Sequence, residues 1–175
     1  MGKSFLEYLG EEHLIDTNVS KNVTKSEYAC SHCSGFPPLQ EYPEQVSNQW
    51  YKAIREFLNV IDNLKDNFRN LKMNSMYRCS NYQNSLHNKN PHAVSFSPHS
   101  MGVAADITRG NARLNKDLLI FLQKNYSEMR IGHYEYNLKW IHIDMTYLTP
   151  LKELNSLGYV PKRVIVPWSK KGARW

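Results

Sequence analysis

Two histidines and an aspartate stand where they could share one divalent ion. His99 and Asp106 lie in the segment His99-Ser-Met-Gly-Val-Ala-Ala-Asp106-Ile, and His142 in Trp140-Ile-His142-Ile-Asp144. A catalytic zinc takes three protein ligands from His, Asp or Glu and keeps a fourth position for water. The number and the types both suit a hydrolytic centre.

Such ligands need rigid carriers. Val103, Ala104, Ala105 and Ile107 around Asp106 are small or β-branched, as in a buried strand, whereas Ser97, Pro98, His99 and Ser100 read as the loop that feeds it. Gly102 and Ala104 are small enough for the backbone to approach a metal closely. In the second segment Trp140, His142 and Asp144 alternate with Ile141, Ile143 and Met145. On a strand this places chemistry on one face and core on the other.

With those residues in view, the pattern SPHSMGVAADI followed by KWIHID resembles the zinc D-Ala-D-Ala carboxypeptidase and murein peptidase family, a group that includes bacteriophage endolysins and, more distantly, the Hedgehog signalling domain. Tyr28-Ala-Cys30-Ser-His-Cys33 is similar to the aromatic-Ala-Cys segment that opens the carboxypeptidase branch. Met76-Tyr77-Arg78-Cys79-Ser-Asn81 is similar to its Ser-Gly-Tyr-Arg-Cys strand. The resemblance spans about residues 26 to 146 in the family's order. It implies that His99, Asp106 and His142 bind one zinc ion, and that Arg78 and Ser97 serve substrate binding in the cleft. The Arg78 guanidinium fork suits a planar carboxylate or a carbonyl.

The proton acceptor has three candidates. Many family members carry an acid three residues before the last metal histidine, and here that position is Lys139, which cannot replace a carboxylate. The carboxypeptidase-like His-x-Asp matches Asp144, ranked first. Glu135, in a Tyr-Glu pair similar to a Hedgehog-like arrangement, is second, and His133 is third, able to shuttle protons near neutral pH. The resemblance implies hydrolysis of peptidoglycan stem-peptide bonds that involve D-amino acids. The other class is a structural virion protein, associated with a tail or capsid, that uses this fold with or without activity.

A chain of 175 residues with 41% hydrophobic and 22% charged content supports one core. The net charge of +6 favours polyanionic surroundings such as acidic wall polymers. No nucleic-acid-binding signature accompanies it. No stretch has the length and apolarity of a membrane span, and residues 1 to 15 lack the basic start and apolar run of a signal peptide. The expected place is the cytoplasm of the producing cell, with release by lysis or carriage on a virion. The cysteines Cys30, Cys33 and Cys79 leave several readings open: unpaired thiols, a link from Cys30 or Cys33 to Cys79, or part of a second zinc site with a histidine such as His32.

The expected architecture is α+β, a small antiparallel sheet flanked by helices with a Hedgehog-like or DD-peptidase-like fold. Residues 1 to 25 read as an N-terminal extension holding a short helix lined by Phe5, Leu6, Leu9 and Leu14. Residues 26 to 148 are the peptidase-like domain, and 149 to 175 a C-terminal extension or arm with Trp168 and Trp175 suited to an interface. The clearest helix covers about residues 47 to 71, where Trp50, Ile54, Phe57, Ile61, Leu64, Phe68 and Leu71 recur at steps of four and three. Pro43 and Ser47 are its start signals. A strand over 73 to 79 carries Arg78, and 80 to 98, which contains His87 and His92, reads as a long loop. A second helix opens at Asn115 or Asp117, and strands follow near 128 to 134 and 139 to 146.

Overall fold

One long helix forms the spine of the molecule, and a four-stranded sheet carries the candidate site. The computed structural model describes residues 1–10, 17–89, 97–133, 138–146, 149–156 and 158, with His133 and Thr149 described by their backbones. In chain order the helices are α1 (Phe5–Leu9), α2 (Lys25–Tyr28), α3 (Glu44–Asn67), α4 (Ser80–Lys89), α5 (Ala112–Asn125) and α6 (Thr149–Ser156). The strands are β1 (Lys72–Ser75), β2 (Ala104–Thr108), β3 (Arg130–His133) and β4 (Ile141–Asp144). Short 3₁₀ turns cover Leu39–Glu41 and Pro98–Met101. The architecture is therefore α+β with a small antiparallel sheet.

The apolar stripe of α3 goes where its period requires: Trp50, Ile54, Phe57, Ile61 and Leu64 are all buried. Each such side chain contributes on the order of 1.5–3 kcal/mol by leaving water. The helix starts earlier than the spacing suggests, with Pro43 as its N-cap residue. Ser47 lies inside the first turns, fully buried, and its hydroxyl donates to the Leu39 carbonyl at 2.6 Å. The helix stops at Asn67, so Phe68 and Leu71 belong to the turn that leads into β1.

Segments before residue 25 and after residue 148 both contribute to this core. In α1, Ser4 and Glu7 form a reciprocal capping box, and Phe5 is stacked on Tyr28 at 5.2 Å between ring centroids. Val19 and Val23 are fully buried, and Asp62 of α3 accepts from the Ser20 hydroxyl and the Asn22 amide. The first helix thus docks onto the domain itself. In α6, Leu151 and Leu154 are buried and the helix packs against α3. The Arg163 to Trp168 run, Trp168 and Trp175 lie outside the described residues.

Two polar segments differ from expectation. Residues 80–89 form α4 rather than loop, although its only fully apolar residue is Leu86 and its buried member is Gln83. A helix with so little apolar periodicity leaves almost no sequence signal. The second helix begins at Ala112, capped by the Asn111 side chain on the Leu114 amide. Asn115 is not a cap; it is buried, accepts from the Arg109 amide at 2.7 Å and donates to the Leu138 carbonyl at 2.6 Å.

The strands are ordered β1-β2-β4-β3, each pair antiparallel. In β2 and β4 Asp106 faces His142 and Ala104 faces Asp144, while Arg130 and Gly132 of β3 stand opposite Asp144 and His142. Because strand side chains alternate, these residues share one face and Ala105, Ile107, Ile131, Ile141 and Ile143 form the buried other. A register shift between Met73 and Ser75 brings Ser75 opposite Asp106. β1 ends there, so Arg78 lies in the extended segment between β1 and α4 instead of on a strand.

Candidate metal centre

His99 reaches the sheet from the 3₁₀ turn Pro98–Met101, which three separate contacts hold in place. The Ser97 hydroxyl caps the turn by accepting from the His99 amide at 3.3 Å. The Trp50 indole donates to the Met101 carbonyl at 2.7 Å, and the Tyr28 hydroxyl donates to the Gly102 carbonyl at 3.1 Å. Gly102 closes the turn at φ +70°, where a Cβ would lie 2.1 Å from the Tyr28 hydroxyl oxygen. Only glycine meets both demands. Ser97, expected in the cleft, is buried and holds the backbone of a ligand.

Three donor atoms converge in front of the sheet. His99 Nε2 is 3.3 Å from Asp106 Oδ1, His142 Nδ1 is 2.9 Å from the same oxygen, and the two nitrogens are 3.3 Å apart. Ligands at about 2.0–2.1 Å around a tetrahedral zinc stand about 3.3 Å from one another. The triangle therefore has the size of a zinc face.

The outer contacts determine what those atoms offer. His99 Nδ1 is 2.6 Å from the Met76 carbonyl, which can only accept, so Nδ1 carries the hydrogen and neutral His99 presents a lone pair at Nε2. His142 Nε2 is 3.1 Å from Asp144 Oδ2. Asp144 is fully buried and grasped by Arg130, whose Nε and Nη2 donate to its two oxygens at 2.8 Å each. His142 therefore lies between two carboxylates, with Asp144 Oδ2 3.1 Å from Nε2 and Asp106 Oδ1 2.9 Å from Nδ1. The His99 lone pair, His142 Nδ1 and a carboxylate oxygen converge on one small volume, and an ion there would take the Nδ1 lone pair while Asp144 accepted the Nε2 hydrogen.

Protonation follows the same geometry. Burial lowers the pKa of His99, favouring the neutral ligand form over the attraction of Asp106. Burial also opposes the charged form of His142, but Asp106 and Asp144 on its two sides outweigh it and the imidazole is pushed up to about 9. Burial works against the charged carboxylates of Asp106 and Asp144 too. For Asp106 the two histidines overcome it, and for Asp144 His142 and Arg130 do, so both lie below the usual carboxylate range. Without a metal, a proton on His142 takes the place of positive charge between the carboxylates. A metal ion competes for that place.

The remaining candidates fall in different positions. Arg78 donates through Nη2 to Asp106 Oδ2, the oxygen turned away from the histidines, and through Nε to Ser75 Oγ at 2.9 Å. Its amide donates to the His99 carbonyl at 3.1 Å, tying the two segments together. Asp144 lies behind His142, and its oxygens also receive the Thr146 hydroxyl at 3.1 Å. This geometry makes Asp144 a partner that orients the His142 ring from behind. The His133 backbone pairs with Ile141, and Glu135 lies outside the described residues. Lys139 is exposed. His87 lies on α4 and is not in the cluster; His92 lies outside the described residues.

Arg130 is the participant that residue reading missed. A charged residue opening a short strand was its only sequence signal, and its partner became visible only through the β3–β4 register. Compared with family models, with curated proteins and with solved structures, the chain matches none. No helix among the described residues is long and apolar enough to cross a membrane.

Proposed function

We propose that this protein is a zinc-dependent peptidase of peptidoglycan stem peptides, acting on bonds that involve D-amino acids. The observation that carries the metal assignment is the convergence of His99 Nε2, His142 Nδ1 and Asp106 Oδ1, each oriented by a partner on its far side. The choice of substrate rests on the resemblance of the His99 to Asp106 and Trp140 to Asp144 segments to murein peptidases. In this reading the protein belongs to a bacteriophage, as a lysin or a wall hydrolase carried on the virion.

Zinc held by these three residues would supply a Lewis acid for the scissile carbonyl and a water acidic enough to ionise near neutral pH. The protein's own groups then divide the work. Met76 fixes the His99 tautomer, and Asp144 would accept the Nε2 hydrogen of His142 when Nδ1 held the ion. Arg130 keeps Asp144 ionised and in place. Arg78 holds Asp106 with one edge of its guanidinium, and among the described residues Nη1 has no hydrogen-bond partner. That group is placed to bind a substrate carbonyl or carboxylate. With Asp144 committed to His142, Glu135 and His133 become the proposed proton acceptors.

The deciding experiment is digestion of purified sacculi by wild type, His142→Ala and Glu135→Gln, with products identified by mass spectrometry. Wild-type release of stem-peptide fragments, abolished by His142→Ala, is the expected result. Cleavage unaffected by His142→Ala would remove the zinc mechanism, and no cleavage by wild-type zinc-loaded protein would favour a structural virion role.

A further inference from the structure

A second cluster, apart from the His/Asp centre, has no part in the chemistry above. The sulfurs of Cys30, Cys33 and Cys79 all lie within 4.8 Å of one another, and all three residues are free thiols. Thiolates at about 2.3 Å around a tetrahedral zinc stand about 3.8 Å apart, so small side-chain rotations bring the three onto one ion. A disulfide would use two of them and strand the third.

The backbone is arranged around these sulfurs. The Cys30 amide donates to the Gly35 carbonyl at 2.9 Å and the Ser34 amide to the Cys30 carbonyl at 2.7 Å, closing residues 30–35 into a tight loop. Ser34 adopts φ +54°, the left-handed conformation that lets the loop turn back. At Gly35 a Cβ would come within 3.2 Å of Cys33 Sγ, so the missing side chain leaves room for the sulfur. The Cys79 amide donates to Cys30 Sγ at 3.3 Å. An amide aimed at a sulfur suits a thiolate, the form that binds metal. His32 is stacked on Tyr82 at 5.7 Å and 7° between ring planes.

We propose that Cys30, Cys33 and Cys79 bind a second, structural zinc ion, its fourth position on the solvent side beside the exposed Cys33. Cys30 and Cys33 share one loop and Cys79 lies far along the chain, so the ion staples the 30–35 loop to the segment between β1 and α4. That staple reaches the first centre by one residue. Cys79 follows Arg78, whose amide holds the His99 carbonyl, and Tyr77 donates to the Tyr28 carbonyl at 3.0 Å. Fixing Cys79 positions Arg78 against Asp106, whether or not the protein cleaves peptidoglycan.

Cobalt(II) substitution separates this site from the other, because a histidine and carboxylate set gives no sulfur-to-cobalt charge transfer. Reduced protein titrated with cobalt should develop that near-ultraviolet band, saturating at one equivalent in His142→Ala and by two equivalents in wild type, with the same final intensity. The exposed Cys33→Ser should abolish it while the far-ultraviolet circular dichroism stays native. Zinc in protein purified without added metal should be released by a thiol-blocking mercurial in His142→Ala. No charge-transfer band in reduced wild type, a band that survives Cys33→Ser, or one titratable thiol in denatured unreduced protein where three are expected would each overturn the proposal. Loss of hydrolysis has no bearing on any of these readouts.

Discussion

The two clusters differ in how the fold holds them. His99, Asp106 and His142 are positioned by strand register and a capped turn, and each ligand has a partner behind it: Met76, Arg78 or Asp144. Cys30 and Cys33 sit on a loop and Cys79 in the segment between β1 and α4, with the Cys79 amide directed at the buried Cys30 sulfur. Nitrogen and oxygen ligands backed by a second layer leave an ion with an open position and tuned acidity. Sulfur ligands on irregular segments would gain from an ion chiefly as a cross-link. One set is framed by a sheet, while the other joins two segments outside any helix or strand.

The largest expected effect tests the first half of that contrast. Asp106→Ala or His142→Ala should reduce sacculus digestion to background and remove one ion per chain by elemental analysis, leaving a folded protein. Digestion that persists in both would break the contrast, because the strand-borne cluster would then be mere packing.

Next in size is Asp144→Asn, which keeps the shape of the side chain but removes the charge behind His142. Loss of such a second-layer carboxylate weakens zinc binding by about 10- to 100-fold. Activity should return when zinc is raised. A variant that is fully loaded yet slow would instead make Asp144 the proton acceptor.

Acidity distinguishes the metal-free from the loaded state. In metal-free protein the His142 pKa is raised from 6.5 to about 9. Its bound proton stabilises the fold fully below about pH 6.5, and that stability is lost as pH rises through about 9, on the order of 3 kcal/mol in all. Urea unfolding in chelator should show this decline, and zinc-loaded protein should not, since the ion has replaced the proton. Equal pH dependence in the two states would place the ion elsewhere.

Gly102→Ala should cost about 2 kcal/mol or more, from left-handed strain and the collision with Tyr28, and should lower zinc affinity through His99. Chemical denaturation and zinc titration measure the two effects. The smallest effect concerns the other cluster. His32→Ala should alter stability by no more than about 1 kcal/mol, the worth of a ring contact, and leave the cobalt–sulfur band in place. Loss of the band would make His32 the fourth ligand and sharpen the site to four protein donors.

The residue types and the two-residue alternation of β4 were enough to choose His99, Asp106 and His142, because ligand chemistry and strand period are both local properties. The stripe of α3 was legible for the same reason. α4 was not: with Gln83 as its buried residue, its helix comes from the polar segment's surroundings rather than from an apolar period. Position in space decided the rest. Asp144 has the composition of a base but is buried behind His142 because β3 presents Arg130 opposite it, a pairing that depends on long-range register. Ser97 has the composition of a cleft residue but caps the turn beneath a ligand. The sequence alone determined which residues could bind metal; which His99 nitrogen is free to do so, and that His142 lies between two carboxylates, was decided only when Met76, Asp106 and Asp144 folded against the two rings.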